Sequence, residues 1–174
     1  MIIWLNGTFG AGKTTTAKEL TSRIPDSRLL DTEKVGEMLW HVLGVPERDF
    51  QDFPPWRGLV VETARQVLDH VGGTLVVTQT VLVERYWQEI RTGLGAAGIP
   101  VHHFLLDTDW DTLVHRIGTD TVPESVTARQ WRLDHLPEYQ ESLPWLRREA
   151  EVVDTTGIPP SRVAEIIMAR VESA

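Results

Sequence analysis

The residues best equipped for chemistry stand near the amino end of the chain. Gly7-Thr8-Phe9-Gly10-Ala11-Gly12-Lys13-Thr14 fits the pattern G-x-x-x-x-G-K-[ST], between an apolar run, Met1–Leu5, and a stretch of helical spacing. Glycine at positions 7, 10 and 12 lets the backbone take positive φ and approach a polyphosphate closely. Amides turned inward, backed by the positive end of the following helix, suit phosphate oxygens. Lys13 sets a cation beside the terminal phosphates, the Thr14 hydroxyl is placed to ligate Mg²⁺, and Thr15 follows in the same helical turn. A glycine-rich turn could exist for packing alone, but the lysine, the threonine, the spacing and the strand-to-helix context are all present. The pattern predicts a nucleoside triphosphate site and leaves ATP against GTP open.

Other residues must decide the fate of the γ-phosphate. Asp31 and Glu33 close a short strand, Arg28–Asp31. In an open α/β sheet, ligands gather at the carboxyl ends of strands. An acid there can face the γ-phosphate, take the proton of an acceptor hydroxyl, or hold a magnesium-bound water. Asp31, at the strand end itself, reads as functional, while Glu33 could equally cap the helix that begins near Lys34. The strand Thr74–Thr78 leads into Thr78-Gln79-Thr80, polar but uncharged, without the acidic pair of ATPase motors. Gln79 and its threonine neighbours either line an acceptor pocket or pack through hydrogen bonds. Arg57 follows Pro54-Pro55-Trp56; its fork would orient an anionic group, or it makes a surface ion pair at a helix start. Trp56 offers an apolar wall beside it, or belongs to the core.

The elements that must carry these residues alternate: strand, loop, helix. Strands are expected at Met1–Leu5, Arg28–Asp31, Thr74–Thr78, Val101–Leu106 and Glu151–Asp154. Helices are expected from Lys13 to about Ser22, near Lys34–Leu43, over Arg57–Val71, over Glu84–Ala97, from an Asp109 cap to about Ile117, and from Pro160 onward. Gly44, Pro46, Pro54 and Pro55 should break the second helix from the third, and Gly72-Gly73 should stop the third. This rhythm predicts a three-layer α/β domain spanning residues 1–174, with a parallel sheet and helices on both faces. Residues 118–149 interrupt it with two helical pieces split by Pro137, bracketed by Arg116, Arg129 and Arg132, where a closing lid would sit.

Composition narrows the rest. Seventeen basic against 25 acidic residues among 174 give a net charge of −8, which argues against broad binding to nucleic acid or anionic membrane. No apolar run approaches the roughly 20 residues that span a bilayer. The amino end lacks the basic start and apolar stretch of a secretory signal, so a cytoplasmic location is expected. Absence of cysteine removes disulfides and thiolate chemistry. His102 and His103 point to opposite faces of a strand and cannot chelate one ion together, so no metal beyond Mg²⁺ is expected.

Four stretches together resemble the bacterial tunicamycin-resistance proteins: Ile2-Ile3-Trp4-Leu5-Asn6-Gly7 running into the loop; Asp31, Glu33 and Lys34; the segment 49–57 ending in Pro54-Pro55-Trp56-Arg57; and Val101-His102-His103-Phe104. That family sits among small-molecule and nucleotide kinase-like phosphate-loop proteins of the nucleotide- and shikimate-kinase type. The resemblance implies a five-stranded parallel core with a helical lid. It also implies ATP with Mg²⁺ and a link to the nucleoside antibiotic tunicamycin, either phosphorylated on a hydroxyl or held without chemistry. By the same analogy Lys13, Asp31 and Arg116 would be catalytic, with Asp31 as general base or holder of a metal-bound water. Arg116 would clamp adenine or phosphates as the lid closes. The loop 154–159, with Thr156 and Gly157, would contact adenine. Glu33, Trp56, Arg57 and Gln79 would face the acceptor.

Overall fold

The apolar run at the amino end forms β1 (Ile2–Asn6), every residue of it buried. A computed structural model, describing residues 1–44 and 49–173, places β1 at the centre of a five-stranded parallel sheet. The other strands are β2 (Ser27–Asp31), β3 (Thr74–Thr78), β4 (Val101–Asp107) and β5 (Glu151–Asp154), in the order β2-β3-β1-β4-β5. Leu5 lies in register with Thr78 on one side and Phe104 on the other, so the carboxyl ends of β1, β3 and β4 finish side by side. β1 and β3 are buried throughout, as unbroken runs rich in Ile, Leu and Val require, whereas β2 is an edge strand with Arg28 and Leu29 exposed.

The helices are α1 (Lys13–Arg23), α2 (Glu33–Leu43), α3 (Pro54–Val71), α4 (Glu84–Ala96), α5 (Trp110–Thr119), α6 (Pro123–Thr127), α7 (Arg129–Asp134), α8 (Leu136–Glu149) and α9 (Pro160–Glu172). α1 packs against α9, and α3 against α4 with α8 beyond, as helices on the two faces of a parallel sheet do. The Trp4, Trp56, Trp87, Phe104 and Tyr139 side chains fill the layers between.

Two expectations about punctuation need correction. Pro54 and Pro55 open α3 instead of breaking the segment, because proline's fixed φ and missing N–H cost nothing in a helix's first turn. The excursion after α5 folds as three helices, and its second break falls at His135; Pro137 lies inside the first turn of α8 for the same reason. Between α2 and α3 the chain makes a 3-10 turn, Phe50–Asp52, capped by the Asp49 carboxylate; the expected breaker Pro46 lies outside the described residues. Gly72 and Gly73, at φ +66° and +75°, end α3 as expected. Among the described residues no helix is long and apolar enough to cross a membrane.

Candidate active site

The loop after β1 is fixed at its entrance by Asn6. The buried Asn6 Oδ1 accepts from the Gly7 amide at 2.8 Å and the Val81 amide at 3.0 Å, while Nδ2 donates to the Val81 carbonyl. Gly7 sits at φ +141°, and a Cβ there would come within 2.7 Å of the Leu106 carbonyl oxygen, so only glycine passes between β1 and β4. Gly12, at φ +92°, precedes α1 with no side-chain cap, and the first turn of α1 carries no acidic residue. Its leading amides are therefore free of side-chain partners and open to an anionic group.

Above this loop lies a cleft of about 720 Å³. Thr8, Phe9, Gly10, Ala11, Gly12, Lys13, Thr14 and Thr15 form its floor. Asp31 and Glu33 line it from β2 and the start of α2, Gln79 from the end of β3, and Arg116 from α5. Lys13 Nζ donates to the carbonyls of Gly7 (2.8 Å) and Thr8 (2.9 Å) and to Thr80 Oγ1 (2.8 Å). Burial among these groups brings the Lys13 ammonium down to about 8; the Glu33 carboxylate opposes the shift and the Arg132 guanidinium adds to it. Desolvation by the cleft walls, with the neighbouring Asp31 carboxylate, raises Glu33 above the usual range. The Asp31 carboxylate also accepts from the Glu33 amide at 3.1 Å, fixing its angle at the mouth of β2.

The residues present fit a magnesium nucleotide. Thr8 Oγ1 is buried without a partner on the cleft floor, the α1 amides are uncapped, and Thr14 and Asp31 offer one hydroxyl and one carboxylate to the same space. Among the described residues no cluster of three acidic or histidine side chains could hold a metal by itself. A magnesium ion here would draw its other ligands from phosphate and water.

Arg116 is engaged where it stands. It donates to the Gly10 carbonyl (3.2 Å) and to the Thr155 carbonyl (2.8 Å), bridging the loop to the segment after β5. Four other expected contacts are not brought to the cleft. Trp56 is fully buried in the core, its indole N–H donating to the Thr32 carbonyl at 3.1 Å, because the helix start at Pro54 turns it inward. Arg57 is buried as well, paired with Glu89 of α4, donating to the Gln51 carbonyl and covering the Tyr86 ring at 4.3 Å. Thr156 accepts from the Asp109 amide, and Gly157 supplies a turn at φ +65°; Thr155, Ile158, Pro160 and Val163 face the cleft instead. Gln79 lines the cleft yet is mostly buried, its Oε1 accepting from Thr32 Oγ1 at 3.0 Å.

For three residues of this site sequence reasoning found a neighbourhood but not the role. Thr80, expected among the threonines beside Gln79, meets Lys13 from just beyond β3, 67 positions away, a contact only sheet order reveals. Thr155, whose hydroxyl contacts Thr108 at 2.6 Å, anchors Arg116. Arg132, 3.5 Å from Asp120, reaches over the Phe9 ring at 5.5 Å; its placement in the bracketing arginine set was the only signal.

Residues 2–133 match the family described as AAA domain. The solved structure of the Deinococcus radiodurans tunicamycin resistance protein is similar with TM-score 0.73 at 28% identity, over 98% of this chain and 95% of that one. A sugar kinase from Janibacter sp. HTCC2649 gives TM-score 0.70 at 18% identity, over 98% and 94%. The Mycobacterium tuberculosis APS kinase, solved with AMPPNP and APS, gives 0.68 at 19%, over 98% and 96%. The two kinases share the fold with this chain. No curated protein matches it.

Proposed function

We propose, for a chain that belongs to the AAA domain family, that it is an ATP-dependent phosphotransferase acting on a hydroxyl of a small molecule. The observation that carries this reading is one cleft holding both an uncapped glycine loop with Lys13 and, across from it, the carboxylates of Asp31 and Glu33. A nucleotide-binding loop alone would serve many ends; an acid at the end of β2, on the same edge of the sheet, gives the attacking hydroxyl somewhere to leave its proton.

In this reading the loop amides and Lys13 hold the triphosphate, and the loop 155–163 borders the base. Bound magnesium would offset charge on the β- and γ-phosphates. Thr14 and Asp31 would hold it, directly or through water. Asp31 orients the acceptor hydroxyl and receives its proton, with Glu33 and Gln79 beside it. Charge developing on the transferred group is met by Lys13 and Arg116, joined by Arg132. Residues 118–149 act as the lid that excludes water, so that the hydroxyl and not water is phosphorylated. Trp56 and Arg57 take no part in acceptor contact.

The likeness to a tunicamycin resistance protein makes tunicamycin the first acceptor to test. Incubation with Mg-ATP followed by mass spectrometry of the drug reads the outcome directly. A product heavier by one phosphoryl group supports transfer. Unaltered drug retained tightly by the protein supports ATP-dependent sequestration instead. Neither outcome, together with no ADP release across a panel of hydroxyl compounds, overturns the proposal.

A further inference from the structure

Arg57 is a costly residue to bury. Taking a guanidinium out of water costs several kcal/mol unless its hydrogen bonds are met, and an apolar side chain would pack α3 more cheaply. Its partner Glu89 remains substantially exposed, so the ion pair is only half withdrawn from solvent. What the fork does is divide itself: Nε goes to Glu89, and Nη1 goes to the carbonyl of Gln51 in the 3-10 turn. The Tyr86 ring lies against the guanidinium, and the Tyr86 hydroxyl holds Asp52 of the same turn at 2.7 Å.

From the turn the contacts run inward. Gln51 Nε2 donates to the Thr80 carbonyl at 2.9 Å, which fixes the peptide that carries the Thr80 side chain just beyond β3. Thr80 Oγ1 in turn donates to the Gly7 carbonyl at 2.9 Å and accepts from Lys13 Nζ at 2.8 Å. Gln51 is itself buried, so its amide has no water to exchange for Thr80. The chain of atoms is unbroken from α4 to the lysine of the loop.

We infer that Arg57, Gln51 and Thr80 form a positioning relay that holds Lys13 for the γ-phosphate. The inference rests on the nucleotide reading above and replaces the acceptor contact expected of Arg57. Thr80 stands at the strand end where motors keep an acid, and here its hydroxyl holds the lysine. Loosening any member lets the ammonium drift from the terminal phosphate while the loop amides, which hold the inner phosphates, stay put.

The test compares ATP with ADP by calorimetry in magnesium buffer, using the full chain. Lys13 stands beside the β- and γ-phosphates and ADP lacks the second, so the ratio of the two affinities reads its placement against the γ-phosphate. Gln51→Leu, Arg57→Lys and Thr80→Val should each lower the preference for ATP over ADP by about 5-fold or more, the scale of one weakened charge-assisted hydrogen bond. Thr80→Ser, which keeps the hydroxyl, should restore it. An unchanged ratio in variants that still bind ADP like the parent overturns the relay, as does equal weakening for both nucleotides. Gln51→Leu and Thr80→Val keep side-chain size, so a folding failure of Arg57→Lys leaves two independent arms. A parent protein that binds neither nucleotide instead sinks the nucleotide reading itself.

Discussion

The ring of Phe9 meets that of Trp131 edge-on, with 5.1 Å between centroids and 66° between planes. The glycine loop therefore touches α7 directly, through the one aromatic residue in its variable positions. Arg132 lies over the same ring at 5.5 Å, and Lys13 Nζ stands 5.9 Å from its centroid. An aromatic pair of this geometry adds about 0.5–1.5 kcal/mol beyond its buried area. We predict that Trp131→Ala speeds amide exchange across α6 and α7 several-fold, leaving β1 unchanged. Equal protection in parent and variant would show that the pair tethers nothing.

Gly36 sits inside α2, where exchange for alanine ordinarily stabilises a helix by about 1 kcal/mol. Here the added Cβ would fall 2.5 Å from the Phe50 ring. That ring cannot simply swing aside, since Trp40 and Trp56 flank it at 5.9 and 5.4 Å. Overpacking of this kind costs typically 1–3 kcal/mol, so the sign reverses. Urea unfolding of Gly36→Ala should show a net loss of stability; a gain would mean the 3-10 turn yields freely.

His103 titrates far from solvent. Burial brings its imidazole down to about 4; the bond to the Glu149 carbonyl resists this, and the Arg91 charge adds to it. The unfolded chain, with an ordinary histidine value, therefore takes up the proton first as pH falls. Stability present above about pH 6.5 is lost progressively toward pH 4, by as much as about 3 kcal/mol for this one group. Denaturation midpoints at pH 7 and pH 5 should fall further apart in the parent than in His103→Gln. Parallel pH dependence in the two proteins would remove His103 as the cause.

Asp31 separates binding from transfer. Asp31 lines the cleft from the end of β2, two strands across from the β1 end that carries the loop. Asn in its place keeps the acceptor for the Glu33 amide but cannot take a proton. We predict that Asp31→Asn holds ATP, measured without magnesium, within about 3-fold of the parent Kd, while phosphoryl transfer from Mg-ATP falls by at least roughly 100-fold. Full activity in mass-spectrometric assay would take Asp31 out of the mechanism.

Much of this molecule was legible before folding was considered. The loop 7–14, the five strands and the closing glycines of α3 depend on near neighbours along the chain: backbone freedom, period and capping act within a few residues. Asp31 and Gln79 were placed in the cleft by one topological rule, that strand ends in an open sheet converge. Arg57 and Trp56 went the other way. Two prolines read as breakers instead began α3, and the resulting helix face turned both side chains into the protein. Their partners, Glu89 and the Thr32 carbonyl, lie 32 and 24 positions away, beyond any local signal. Thr80 shows the same limit from the opposite side, becoming a ligand of Lys13 only because β3 lies beside β1. Local conformational preference wrote the elements into the chain, whereas the direction each side chain faces was decided by packing between elements far apart in it.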